Sequence, residues 1–242
     1  MSASHCSRLG FMLRVLIAAI ACSSPRATLA QSAPLQWNGI EHVVAFADVH
    51  GAYTELLGLL RETGILDAQN RWAAGHTQVV SLGDLLDRGA DSRQVMDLLM
   101  RLQGEARAAG GQLHVLLGNH EAMNLLGDLR YVTAGEYASY VDLESSAGRA
   151  QQRQAWETAH GAGSGAAFDQ KFPPGYFGHR AAFSADGKYG QWLLTLPVAI
   201  MLNDTLFMHA GPSNVLQGMS LQELNLRYRT ALTDYLGLAG QL

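Results

Sequence analysis

Cysteine is nearly missing from this chain of 242 residues: there are two, Cys6 and Cys22. With none beyond residue 22, the body of the chain has no disulfide available and must be held by packing or by bound metal. Basic charge is also in short supply, with 17 Lys and Arg against 21 Asp and Glu. Residues 1–30 contain three of the basic residues and no acidic one, which leaves residues 31–242 at a net −7 with histidines neutral. That excludes the broad basic face of a nucleic-acid or anionic-membrane binder, yet leaves room for one arginine to hold a phosphate. Long apolar runs are absent too. The longest candidate, Phe11 to Ala21, is broken by Arg14 and falls short of the ~20 residues that a membrane span needs. No internal repeat is present, and no histidine follows His209.

What is present begins with a leader. Arg8 and Arg14 precede or interrupt a short apolar stretch, and small residues then lead to Thr28-Leu29-Ala30. This is the pattern of a secretory signal peptide with a cut after Ala30, so a periplasmic or secreted protein is expected. A lipid-anchored start at Cys22 is the lesser alternative, because Ala19-Ile20-Ala21 fits a lipobox poorly. Residues 31–242 are enough for one domain with a single core.

Within that domain, Gln31 to Gly39 reads as a polar lead-in. His42 to Ala47 reads as a fully buried first strand and Tyr53 to Thr63 as a helix. Gln78 to Leu82 is the second strand, Asp91-Ser92 opens a long helix ending near Gly110, and Leu113 to Leu117 is the third strand. Strand and helix alternate, which predicts an α/β fold with a parallel sheet. Residues 124–180 break the pattern with helical stretches at Ala134–Leu143 and Gln151–His160 and an aromatic turn at Phe172–Phe177. They read either as a helical cap over the site or as padding on the surface. Leu196–Leu202 and Thr205–Met208 read as a hairpin opening a second sheet, and Leu221–Leu236 as an amphipathic helix.

Four apolar strands end in residues of metal-ligand type: Asp48 and His50, Asp84, Asn119 and His120, and His209. Asp-x-His spacing puts both side chains on one side of an extended segment. Carboxylate, imidazole and amide oxygen together suit zinc, manganese or iron. Each piece alone has a plainer explanation. A lone buried histidine is usually a core residue, Asp48 could cap a helix, Asn119 could serve a turn, and Asp87-Arg88 could be a surface ion pair. Those explanations do not account for all four strand ends carrying such groups, each beside a glycine (Gly51, Gly83, Gly118, Gly211) that lets the backbone turn.

Asp48-Val49-His50, Gly83-Asp84-x-x-Asp87-Arg88-Gly89 and Gly118-Asn119-His120-Glu121 resemble the motifs of the calcineurin-like metallophosphoesterases, in the phosphoprotein-phosphatase branch. Phe207 to Gly211 is similar to that branch's later metal-histidine motif. The segment after Glu121 and the run Ala182 to Leu193 look most like the bacterial Shewanella-like phosphatases. The resemblance implies a four-layer α/β/β/α sandwich and two divalent or mixed-valence metal ions (Mn, Zn or Fe). It implies that Asp48, His50 and Asp84 hold one ion, with Asp84 bridging to a second held by Asn119 and His209. A bridging hydroxide would attack phosphorus, His120 would protonate the leaving group with Asp87 orienting it, and Arg88 would grip the phosphate. The implied substrate is a phosphorylated protein, peptide or small phosphoester. Dinucleoside polyphosphate hydrolysis is the alternative, disfavoured by Asp87 and Glu121.

The chain also departs from the family pattern. The family has a further Gly-His downstream of His209, and here none follows. His179 lies upstream, in the wrong order for that role, and Arg227 and Arg229 fall on a helix as surface residues. The expectation is a second sheet left incomplete at the carboxyl end, with weak metal binding and slow or absent turnover, or a metal- and phosphate-binding fragment without catalysis.

Overall fold

Three parallel strands of four residues each carry the first sheet. The computed structural model describes residues 34–239, so the leader and its cleavage site lie outside the described residues. Strands β2 (Val43–Phe46), β3 (Gln78–Ser81) and β4 (Gln112–Val115) pair in the order β2-β3-β4, after β1 (Gln36–Trp37). Helices α1 (Tyr53–Glu62) and α2 (Ser92–Ala108) make the crossovers. Side chains of a strand alternate between faces, and β3 shows the consequence. Val79 packs with Leu56 and Leu60 of α1 and Met96, Leu99 and Leu102 of α2. Val80 points to the opposite face, where it joins Leu116, Ile200 and Leu202.

Ile200 and Leu202 belong to the second sheet. Strands β5 (Ala199–Leu202) and β6 (Thr205–Met208) form the expected antiparallel hairpin. The supposed lead-in is not structureless: β1 adds to β5 in parallel, Gln36 opposite Met201 and Trp37 opposite Leu202. Only two residues long, β1 gives no periodicity to read. Trp37 meets His114 edge to face, with ring centroids 4.3 Å apart, and His114 Nε2 lies 2.8 Å from Gln78 Oε1. This polar pair sits between the sheets, and burial lowers the His114 pKa to about 4.

Strand β2 corrects a second expectation. It is not fully buried: Val44 and Phe46 face the helices, but Val43 and Ala45 are exposed. The reason is topological. β2 is an edge strand, and the second sheet, in the order β1-β5-β6, covers Val80 and Leu116 but not the same face of β2. An apolar run alone cannot distinguish an edge from a centre.

Residues 119–193 contain helices and connecting turns but no strand. They comprise α3 (Asn119–Leu126), α4 (Ala134–Ala138), α5 (Ser146–His160), α6 (Gly165–Lys171), α7 (Tyr176–Ala182) and α8 (Lys188–Leu193). Tyr140, Phe183 and Tyr189 are wholly buried and continuous with the main core. Arg93 and Lys188 tie this region to α2 through ion pairs with Asp142 and Asp97. The carboxyl-terminal α9 (Leu221–Ala239) packs on β5, where Asn225 accepts from the Val198 amide (2.9 Å) and donates to the Ala199 carbonyl (2.9 Å). No described helix is long and apolar enough to cross a membrane.

Candidate metal centre

The strands end, and the ligand-type residues begin, in strained backbone. Asp48, His50, Asp84, Asp87 and Arg88 all have positive φ, between 47° and 68°. Non-glycine residues avoid this region, and clusters of them persist only where the surroundings impose the conformation. Here the loops impose it on each other. The His50 and Gly51 amides donate to the Asp84 and Leu85 carbonyls at 2.9 and 2.8 Å. Two glycines permit the approach: a Cβ on Gly83 would come within 2.4 Å of the Gly118 nitrogen, and one on Gly118 within 2.4 Å of Asp84 Oδ1.

Glu121 fastens the same junction. It occupies the third position of α3, the place from which a glutamate reaches back to the cap. Its buried carboxylate accepts from the Gly118 (2.8 Å), Asp84 (2.8 Å) and Leu85 (2.7 Å) amides. Burial pushes its carboxyl above the usual range, and the three amide donors pull against that.

The ligand-type side chains converge on Asp84. Three imidazoles aim their Nε2 atoms at its Oδ2: His209 at 3.3 Å, His50 at 3.8 Å and His120 at 3.9 Å. His50 Nδ1 lies 2.8 Å from the Leu86 carbonyl and His209 Nδ1 lies 3.0 Å from that of Leu82. A carbonyl can only accept, so His50 Nδ1 carries a proton and its Nε2 keeps a lone pair for a cation, whereas both His209 nitrogens face oxygens, the Leu82 carbonyl and Asn119 Oδ1. Donor atoms of His50, Asp84 and His120 lie within 4.8 Å of one another, as do those of Asp48, Asp84 and His209. Asp84 alone belongs to both groups, where it could serve two cations, but Asp48 groups with His209 and not, as expected from the sequence, with His50. Asn119 Oδ1 lies 3.0 Å from His209 Nε2, on the second group's side. This donor set of carboxylate, imidazole and amide oxygen fits a pair of divalent cations.

His120 differs from the other two histidines. Its Nδ1 is 2.5 Å from Asp87 Oδ2, and both side chains are buried. Asp87 therefore does not form a surface pair with Arg88. Its second oxygen accepts from Asn124 Nδ2 at 3.1 Å, and Asn124 also donates to the His120 carbonyl at 3.0 Å. Arg88 is exposed, with its guanidinium carbon 5.9 Å from the Tyr131 ring centre, and Tyr131 lies 5.1 Å from the His120 ring. An exposed arginine next to Asp87 and near Tyr131 has a guanidinium free to meet an anion.

All eight residues singled out from the sequence (Asp48, His50, Asp84, Asp87, Arg88, Asn119, His120 and His209) thus come together at one end of the sheets. His179 does not. It is buried within the helical region against Phe183, Tyr137 and Tyr140, and burial lowers its pKa to about 3. Arg227 pairs with Glu223 on the exposed side of α9. Sequence reading missed Asn124 and Tyr131 as site residues. Asn124 was recoverable, standing one helical turn after His120. Tyr131 lies in a loop whose path no local pattern reveals.

Known proteins share this framework. A family model described as calcineurin-like phosphoesterase matches residues 41–237. Shewanella-like protein phosphatase 2 of Arabidopsis thaliana is 42% identical over 93 residues, covering 38% of this chain and 24% of its own length. Shewanella-like protein phosphatase 1 of Plasmodium berghei is 23% identical over 200 residues, covering 83% of this chain and 46% of its own. The crystal structure of a cold-active protein-tyrosine phosphatase from a psychrophilic Shewanella is 34% identical, with a TM-score of 0.62. That match covers 84% of this chain and 52% of the solved one. The chain thus spans about half the length of these relatives or less.

Proposed function

This chain belongs to the calcineurin-like phosphoesterase family, and we propose that it hydrolyses phosphate monoesters, with phosphorylated proteins or peptides as substrates. The observation that carries this reading is the convergence of three imidazole Nε2 atoms on one Asp84 oxygen, with only His120 backed by a buried carboxylate.

Following the family's motif, Asp48, His50 and Asp84 would hold one cation, and Asp84, Asn119 and His209 the other, although the donor atoms themselves group Asp48 with His209 rather than with His50. We take the ions to be zinc, manganese or iron. Such a pair supplies Lewis-acid polarisation of phosphoryl oxygens and a water acidified to near neutral pH. The remaining work falls to the chain itself. Arg88 presents a planar guanidinium that meets two phosphate oxygens at once. Asp87 accepts a hydrogen bond from His120 Nδ1–H and would stabilise the imidazolium. His120 Nε2 is then left to carry the proton that a departing alkoxide or phenoxide needs. Asn124 holds Asp87 in that orientation.

The relative that is a protein-tyrosine phosphatase makes a phosphotyrosine peptide the first substrate to try, ahead of phosphoserine and phosphothreonine. Export after cleavage near Ala30 remains our reading of residues 1–30. The test of function is hydrolysis of p-nitrophenyl phosphate by metal-reconstituted protein, with His120→Asn alongside. Hydrolysis lost in the variant is the expected result; a retained rate would remove His120 from the chemistry.

A further inference from the structure

The helical region meets the Asp87 turn through α4, and three contacts hold it there. The Arg88 amide donates to the Tyr131 carbonyl at 3.0 Å, and Thr133 Oγ1 donates to the Gly89 carbonyl at 3.2 Å. Gly135 lies so close to Ala90 that an added Cβ would stand 2.9 Å from the Ala90 Cβ. Thr133 then caps α4 by accepting from the Glu136 amide at 3.1 Å. That cap fixes the direction of the first turn, and Glu136 is driven inward.

Glu136 is wholly buried, and neither of its carboxyl oxygens has a hydrogen-bond partner among the described residues. Its polar neighbours are the Ser92 hydroxyl, on the first residue of α2, and the Asp87 backbone amide, both of which favour the charged carboxylate against burial; Tyr137 and Tyr140 of its own region feel its charge. Ser92 Oγ is likewise buried and without a partner among the described residues. Burial raises the Glu136 pKa to about 8, with the Asp87 charge adding to it, so the carboxyl carries a proton at neutral pH. A buried carboxyl of this kind is costly unless its proton and lone pairs are used. The Asp87 turn has a use for them: Asp87 and Arg88 are consecutive non-glycine residues at φ 68° and 63°, a conformation that neighbouring groups must enforce.

We propose that Glu136 is a positioning residue for the His120–Asp87 pair. It is a buried carboxyl, delivered by the helical region, that braces the Asp87 turn, with the Ser92 hydroxyl as its companion. Glu136 touches no reacting atom. It acts by holding Asp87 where the carboxylate accepts the hydrogen bond from His120 Nδ1–H, and the inference rests on the phosphatase reading above.

The test compares metal-reconstituted wild type, Glu136→Gln, Glu136→Leu and Ser92→Ala. Three quantities are read: kcat and KM on p-nitrophenyl phosphate at pH 7, melting temperature, and the far-downfield proton resonance of the His120 Nδ1–H bond to Asp87. Glutamine can still donate and accept, so it should keep kcat within about threefold. Leucine preserves volume without hydrogen bonding and should lower kcat roughly tenfold or more with KM nearly unchanged. The resonance should shift or broaden in Glu136→Leu and, more weakly, in Ser92→Ala, but not in Glu136→Gln. If Glu136→Leu fails to fold, the Ser92→Ala resonance decides the matter. Wild-type kcat in Glu136→Leu, or an unmoved resonance in the variants lacking the bond, overturns the inference. A wild type without hydrolysis overturns the phosphatase reading instead, and the resonance still reports on the bracing.

Discussion

His120 and Asp87 are joined at 2.5 Å inside the protein, while the His50 and His209 rings lean on backbone carbonyls. This difference in partner separates the imidazole backed by a carboxylate from the two backed by neutral carbonyls. A carboxylate stabilises an imidazolium more than a neutral carbonyl does, while a carbonyl on Nδ1 leaves Nε2 available to ligate.

From this contrast, His120→Asn should lower kcat by roughly 10²–10⁴, as expected for loss of a general acid. Its metal content should remain close to that of wild type, whereas His209→Ala and Asp84→Ala should lose metal. Elemental analysis of the three purified variants checks this. Equal metal loss in His120→Asn would make His120 a ligand.

Removal of metal should track the donor sets. Asp48, His50 and Asp84 offer two carboxylates and an imidazole, while Asn119 is a neutral amide and shares its side of the centre with His209 and Asp84. Stepwise chelation should therefore strip the ion held by Asn119 first, with activity lost alongside that first ion. A titration in which both ions leave together would contradict the assignment.

Glu136 should make stability depend on pH. Its folded pKa of about 8 lies above the ordinary carboxyl value of 4.5. The stabilisation is therefore complete below pH 4.5 and is lost as pH rises towards 8. Glu136→Gln is expected to melt several degrees above wild type at about pH 8, a difference on the order of a few kcal/mol, with the gap closing by about pH 5. Thermal unfolding across that range measures it.

His179 acts in the opposite sense. Burial holds its folded pKa at about 3, below the ordinary 6.5, so its stabilisation is complete above pH 6.5 and is lost as pH falls towards 3. Both ring nitrogens lack partners among the described residues, and the ring stacks on Phe183 at 4.4 Å. His179→Phe should keep the stacking and remove the acid sensitivity, and melting at about pH 5 would show the variant gaining on wild type.

Gly118 tests the strained junction. A Cβ there would meet Asp84 Oδ1 at 2.4 Å and the Asp84 nitrogen at 2.5 Å. Gly118→Ala should destabilise by roughly 1–3 kcal/mol and displace Asp84, with metal affinity falling more than stability does. Denaturant unfolding and metal titration on the same sample separate the two effects.

The sequence by itself determined which residues would gather at the strand ends and that the first sheet would be parallel. Local chemistry was enough for that. Apolar runs ending in Asp-x-His, Gly-Asp and Gly-Asn-His leave those polar groups no place in a core, and βαβ crossovers bring successive strand ends to one side. Only the tertiary structure decided which histidine is which, because the partner of Nδ1 comes from a distant loop: Leu86 for His50, Leu82 for His209 and Asp87 for His120. Tertiary structure alone also exposed one face of β2, turned Gln36 and Trp37 into a strand, and set Glu136 beside Asp87. Each of these depends on what packs across the chain from elsewhere, and no periodicity within a short segment records that.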